Sequence, residues 1–385
     1  MTKILRTAAC LLAAAVAVTM SASAAVADDH AEVQQVVDQA VADGMPGIIA
    51  DVRDGHRSWF GTAGVADTET GRKRRQQDHF RAGSVTKSFS ATVVLKLAAE
   101  GRLSLDDKVE KWLPGVVKGN GHDGSKITIR QLLNQTSGIF PYTSDAGMAA
   151  KQWTPAFLKH RFDRYRPEQL VKIAMANPAP FTPGKGWGYS NTNYILAGMI
   201  IEKVTGRSYA EEVTRRIIRP LGLKGTYLPD EETKLRKPHV RHYIKLPVGD
   251  PNGKIYDLTD MNASWAGAGG GIVSTAGDLQ TFYRALLSGR LLPPAQQKEM
   301  FTAVSTKGVQ WIDNTAYGLG VFSKTLDCGV TVWGNGGRIH GSWTIAMGSK
   351  DGKRMLVSNI NGDWDNPLDI LTKEMEAEMC PPSSQ

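Results

Sequence analysis

After its first 27 residues the chain has no apolar run of about 18 residues, the length a membrane-spanning helix needs. No membrane span is therefore expected. There is no internal repeat and no low-complexity segment. Cysteine is scarce, at three in 385 residues. Basic residues outnumber acidic ones, for a formal charge of +8, yet only one basic run occurs. It is Arg72 to Arg75 in TGRKRRQQ, and it follows a turn signal between strand-like stretches, so a solvated hairpin tip is expected. Nothing resembles a nucleic-acid module, and no nucleic-acid partner is expected. His239 and His242 in HVRH have no third ligand nearby, so neither a metal site nor a cofactor is expected.

What is present begins with a leader. Lys3 and Arg6 form a charged start, AACLLAAAVAVTM an apolar stretch, and AVA at 25–27 a small-residue cleavage site, with ASA at 22–24 as a second candidate. Residues 1–27 thus read as a signal peptide and the protein as secreted. Cys10 leaves with the leader. Cys328 and Cys380 remain, an even pair in an oxidising compartment, and a disulfide between them is expected.

Periodicity places a helix over 31–43, with Val33, Val36, Val37, Ala40 and Val41 as its apolar stripe. GIIADVRDG and HRSWFGTAGVAD read as strands joined at Asp54-Gly55. A helix over 84–100 closes at Gly101. Residues 125–138 read as a short strand-like piece turning into a helix that ends at Gly138. Further helices fall at 166–176, 191–205, 208–218 and 276–288, while 226–262 reads as irregular. YGLGVFSK, GVTVWGN, SWTIAMGS and RMLVSNI are short strands, and a helix over 366–379 closes the chain. Strands therefore gather at the two chain ends with helices between. The fold class is α/β in the α+β sense, with an antiparallel sheet flanked by helices and built from both ends. The sheet lobe covers about 28–83 and 263–385, and the mainly helical lobe about 84–262. A cleft between them is the expected site.

Three motifs bear on chemistry. In GSVTKSFSATVVLKLAAEG, Ser84 and Lys87 lie three apart at a helix start, on one face. A cation there opposes the helix dipole. Burial would lower its pKa further and let it take a proton from serine. The structural alternative is a serine cap with a solvent-facing lysine. In GWGYSNTNYILAGMIIEKVTG, Tyr189 and Asn191 precede an amphipathic helix. Tyr189 beside Lys87 would have its phenol pKa lowered by the ammonium and shuttle protons. Asn191 would bond Lys87 or a substrate carbonyl; a plain helix cap is the alternative. In VTVWGNGGRIHGSWTIAMGSKDGKR, a strand, a glycine turn and a second strand make an edge that a ligand can approach closely.

The order of these motifs, their spacing and the text around them resemble the serine D-alanyl-D-alanine carboxypeptidase and class C β-lactamase family. The likeness extends over FRAGSVTKSFSA, ITIRQLLNQTSGI, SWAGAGGGIVSTAGDL and YGLGV, nearly the whole mature chain, and is nearest to the secreted soluble carboxypeptidases of Gram-positive bacteria. It implies Ser84 as acylated nucleophile, Lys87 as proton acceptor and Tyr189 as shuttle. The oxyanion donors would be the backbone N–H groups of Ser84 and Arg338. No metal is implied, and the Cys328–Cys380 bridge fits the pattern. Trp265, by the same likeness, lines the cleft.

The third motif departs from that family. His- or Lys-x-Gly becomes Asn335-Gly336-Gly337, a small residue becomes Arg338, and Phe322 stands where the carboxypeptidases place an arginine. These positions help hold a free carboxylate in the family. Either Arg338 supplies the lost charge, or the acyl donor has no carboxylate there. His340, five residues past Asn335, is either structural or a titratable group returned to the pocket. The expectation is a serine hydrolase or acyltransferase acting on a small-molecule or peptide acyl donor. By family that donor is a D-alanyl-D-alanine or related D-amino-acid peptide of the cell wall. A β-lactam is the expected kind of inhibitor, and a monomer is expected. An esterase or transacylase acting on a donor without the carboxylate is the first rival. A non-catalytic cell-wall-peptide binding protein is the second.

Overall fold

The computed structural model describes residues 30–381. The leader and Cys10 lie outside the described residues. Helices used below are α1 (Ala31–Ala42), α2 (Thr86–Ala99), α3 (Pro167–Met175), α4 (Asn191–Thr205), α5 (Ala276–Leu287) and α6 (Pro367–Met379). The main-sheet strands are β1 (Gly47–Asp54), β2 (Arg57–Gly64), β3 (Val304–Ser305), β4 (Thr315–Tyr317), β5 (Phe322–Thr325), β6 (Thr331–Ile339), β7 (Ser342–Gly348) and β8 (Arg354–Ile360).

The sheet runs β2-β1-β8-β7-β6-β5-β4-β3 and is antiparallel. Ile48 of β1 pairs with Ile360 of β8, so the first strand of the described chain lies beside the last main-sheet strand inside the sheet. This is the architecture expected from strands at both chain ends. Period-2 alternation sends neighbouring residues to opposite cores. Ile48, Ala50, Val52, Leu356 and Ile360 join Val33 and Val37 of α1 and Leu371 and Met375 of α6. Ile49, Met355 and Val357 join Phe282 and Leu286 of α5 and most of α2 on the other face. Because helices cover both faces, these strands read as nearly continuous apolar runs.

Helix α2 is buried along almost its whole length, from Thr86 to Leu95 and again at Leu97. It is the axle between the sheet and the helical part, and helices α3 and α4 belong to the same core cluster. Gly101, at φ +68°, ends it as expected.

Four features depart from the sequence reading. Residues 129–133 form one helical turn, capped by the Thr128–Gln131 box, instead of a helix reaching Gly138. The chain then turns at Gln135, a buried residue at φ +69°. The stretch read as irregular holds a small hairpin, Tyr243–Leu246 with Lys254–Asp257, to which Gly362–Asp363 adds a parallel strand. Short period-2 signals of four residues are lost among prolines. The basic run is not a solvated tip: Arg74 is buried, and its guanidinium donates to Gly47 O, Asn359 O and the side-chain oxygens of Asn359 and Asn361. Arg72 pairs with Asp78 at 2.9 Å. Charge-run reasoning could not see that β1 and β8 leave carbonyls to be satisfied there.

Cys328 and Cys380 are joined, tying the β5–β6 turn to the end of α6 across 52 positions. A crosslink closing a loop of that size stabilises by about 2–4 kcal/mol in typical cases. The double substitution Cys328→Ser with Cys380→Ser should lower the unfolding free energy by that amount in guanidinium titration. An unchanged midpoint would show the bridge to be dispensable.

Candidate active site

Ser84 sits in a 3-10 turn, Gly83–Val85, that runs straight into α2. No side-chain cap bond forms at either helix start, so Ser84 is not a capping serine. Lys87 is fully buried and not solvent-facing. Its Nζ lies 3.0 Å from Ser84 Oγ, 2.7 Å from Asn191 Oδ1 and 2.6 Å from Gly269 O. Burial without a counter-ion pushes the Lys87 pKa well below its ordinary value. Burial favours the neutral amine, which has two hydrogens; with these on Asn191 and Gly269 its lone pair would face Ser84 Oγ and could take the serine proton.

Tyr189 donates from its hydroxyl to Ser84 Oγ at 2.7 Å. The sequence reading had an ammonium lowering this phenol. The structure reverses that: desolvation drives the Tyr189 pKa well above its usual value. The burial that depresses the Lys87 pKa also weakens the charge that would favour a phenolate, so both shifts favour the uncharged pair around one hydroxyl. Tyr189 and Asn191 are held by a residue that sequence reasoning missed. Gln135 accepts from Ser190 N at 3.0 Å and from Asn193 Nδ2 at 2.6 Å through Oε1, and its carbonyl accepts from Gly188 N at 3.1 Å. Its left-handed backbone brings all three within reach. The clue was its place in LLNQTSG, directly after the helical turn.

The third motif lies inside strand β6; the turn comes after it, at His340-Gly341. Gly337 needs to be glycine, since a Cβ there would lie 2.0 Å from Ala82 O and 2.7 Å from Ser84 N. This close approach seats β6 against the Ser84 turn. Asn335 is buried and committed to the scaffold. Its Nδ2 donates to Gly320 O at 2.8 Å, and its Oδ1 accepts from Gly336 N at 2.8 Å. Arg338 is also engaged: Nε and a terminal nitrogen meet Asp363 at 3.2 and 3.1 Å, between the indoles of Trp153 and Trp343. Asp363 reaches Arg338 from the small sheet that the sequence did not disclose.

His340 does not enter the pocket. It is fully buried, stacked on Phe157 at 4.0 Å and Trp153 at 4.8 Å, with Nε2 2.7 Å from Gln152 O. Burial drives its pKa down to about 3, so it stays neutral and structural. Among the described residues no group of three or more His, Cys, Asp or Glu is placed to hold a metal.

Ser84, Tyr189, Asn191, Trp265, Asn335, Gly336 and Arg338 all border one cavity of about 480 Å³. One end is aromatic, formed by Trp153, Trp265 and Trp343 beside the Arg338–Asp363 pair. The other is apolar and mainly aliphatic, formed by Ile312, Ile345, Met347, Leu371 and Met375 with Phe322. Trp311 stacks on Tyr189 at 4.6 Å and joins the reacting centre to that second end. Trp153, Trp311 and the α6 residues carried no spacing signal; folding alone brings them here.

A family model described as Beta-lactamase matches residues 33–371. The D-stereospecific amidohydrolase from Streptomyces sp. is a similar solved structure, 51% identical with a TM-score of 0.84, covering 91% of this chain and 98% of that one. Esterase EstB from Burkholderia gladioli is 28% identical over 89% of this chain and 94% of its own length. Penicillin-binding protein 4* from Bacillus subtilis is 29% identical over 78% of this chain, and the match spans 65% of that protein.

Three substitutions test the buried amine. Lys87→Met should lower kcat/KM about 10³-fold, and Lys87→Arg should not restore it, because guanidinium does not deprotonate. Asn191→Asp puts a carboxylate beside Nζ, favours the ammonium and raises the lysine pKa. The acid limb of the kcat/KM profile should then move to higher pH. An unmoved limb would take Lys87 out of the base role.

Proposed function

The chain belongs to the Beta-lactamase family, and from that premise we propose a secreted serine hydrolase that cleaves amides and esters of D-amino acids through an acyl-enzyme on Ser84. Serine hydrolase chemistry follows from the family; the substrate is our reading. The observation that carries it is that, among the described residues, no free cation besides Lys87 stands next to Ser84. Asn335 is tied to Gly320, Arg338 is neutralised by Asp363, and Phe322 is apolar. A departing D-alanine would place its carboxylate against these groups without a partner. A charged hydrogen bond contributes about 1.5–3 kcal/mol, so its loss costs such a substrate roughly 10- to 100-fold. A leaving group with no carboxylate at that point loses nothing. The likeness to a D-stereospecific amidohydrolase supports the D configuration. The likeness to EstB supports esters as donors.

The mechanism follows from the geometry. Ser84 Oγ attacks the carbonyl and its proton passes to the lone pair of Lys87. The backbone N–H groups of Ser84 and Arg338 are read as holding the oxyanion. The ammonium so formed is buried without a counter-ion and is a strong acid for that reason. It returns its proton through the Tyr189 hydroxyl to the departing nitrogen or oxygen, leaving Ser84 acylated. Water, or an amine, then attacks the ester, and the same groups run in reverse. The leader sequence and the disulfide support export.

Initial rates on D-alaninamide, its L enantiomer, D-alanine methyl ester and a D-alanyl-D-alanine peptide test the reading. The D amide and D ester should exceed the L amide and the peptide by at least about 10-fold. Faster release of D-alanine from the peptide than of ammonia from the D amide would restore the carboxypeptidase reading.

A further inference from the structure

The aliphatic end of the catalytic cavity contains one cation that the mechanism does not use. Lys324 lies on β5, two positions beyond Phe322 and on the same face of the sheet, opposite Val332 of β6. It borders the cavity, yet it is only 9% exposed. Its Nζ has a single polar neighbour within hydrogen-bonding distance, the carbonyl of Asp313 at a long 3.4 Å, and no carboxylate lies within 4 Å among the described residues. The walls around it are Phe322, Met347 and Ile312. A largely buried cation with one distant carbonyl is under-compensated, and an anion brought to it gains more than it would in water.

The same strand geometry measures how far that cation stands from the reaction. Gly337 touches the Ser84 turn. Gly336 pairs with Ile345, Gly334 with Phe322 and Met347, and Val332 with Lys324. From Gly336 to Val332 is about 13 Å at ~3.3 Å per residue. The Lys324 side chain spans part of this distance, since it borders the same cavity as Ser84. The anion therefore belongs several bonds beyond the scissile carbonyl, separated from it by an apolar stretch. The direction is set by Tyr189. It hands the proton to the departing atom and stacks on Trp311, which borders the aliphatic end. On this reading the leaving group departs toward Phe322 and Lys324, and the D-aminoacyl part lies toward Trp153 and Trp265.

We propose that Lys324 and the aliphatic walls between β5, β7 and α6 form a subsite for leaving groups, or acceptor amines, that carry a carboxylate at the far end of a short apolar chain. It rests on the reading of D-aminoacyl amides and esters given above. The chemical class is an ω-amino acid, or a short peptide whose first residue is apolar. A carboxylate directly on the departing residue falls short of Lys324 and meets Phe322. One at the end of a five- or six-atom chain reaches the amine. The site thus rejects the nearest carboxylate and accepts a more distant one.

The test compares D-alanyl-6-aminohexanoate with D-alanine hexylamide, which share an aliphatic chain and differ in the terminal charge. Their kcat/KM ratio should be about 10 in the wild-type enzyme, as one charged contact implies, and close to one in Lys324→Met. D-alanylglycine, whose carboxylate is too near, should show no such advantage. A ratio of one in the wild-type enzyme, or an equal ratio in Lys324→Met, would overturn the subsite and leave lysine as a packing stem. If none of the D-alanine amides is turned over, the proposed function fails, and the subsite is judged by binding alone. Calorimetry on Ser84→Ala should then show hexanoate binding that Lys324→Met abolishes and that hexylamine does not reproduce; equal binding of both probes would refute it.

Discussion

Everything in this site follows from an amine whose burial works against its proton. Lys87 is enclosed by the start of α2, the Asn191 end of α4 and the carbonyl of Gly269, with no counter-ion in contact. In water the ammonium would win by several kcal/mol over the neutral form at pH 7; desolvation works against it. The two carbonyl-type acceptors then matter as much as the burial, because they orient the two N–H bonds and leave the lone pair for Ser84. An aspartate in place of Asn191 would satisfy the same geometry and restore the charge. The neutral acceptors keep the lysine in place without protonating it.

Such a centre works only if its parts cannot drift. The turn carrying Ser84 is pressed between α2 and β6, and the glycine at 337 allows that contact at a distance no side chain would permit. The segment carrying Tyr189 and Asn191 is gripped by Gln135 from a left-handed backbone conformation, a local cost recovered through three hydrogen bonds. The sheet behind β6 is buried on both faces, so displacement of one strand would disturb two cores. Preorganised donors and acceptors of this kind need no rearrangement when charge develops.

The charge around the reacting centre is equally managed. Close to Ser84 the cavity is electrically quiet: Arg338 is matched by Asp363 and lies between indoles, and the amide of Asn335 is spent on the backbone. The His340 ring, which might have replaced a missing titratable group, is locked into an aromatic stack. Discrimination among donors then falls to apolar shape near the bond that breaks, and to a cation set well away from it. Selectivity by distance along a strand is a different solution from selectivity by a charge beside the nucleophile.

Much was legible in the sequence, for identifiable reasons. Alternation in GIIADVRDG and RMLVSNI, the stripe of α1 and the glycine after α2 are local signals, and local signals survive without a structure. So did the residue types of the nucleophilic centre, because Ser84 and Lys87 share one helical turn. Other features depend on contacts between segments far apart in the chain. Whether Lys87 is a base or a surface cation turns on Gly269, 182 positions away. Whether Arg338 is a carboxylate anchor turns on Asp363 from a strand too short to recognise. Arg74 read as surface and His340 as either structural or part of the site, and the fold made both of them scaffold. Residue type and spacing determined which chemistry was possible. Burial and the partner at the end of each side chain decided which of it occurs, since desolvation and pairing are properties of the assembled core and not of any stretch of chain.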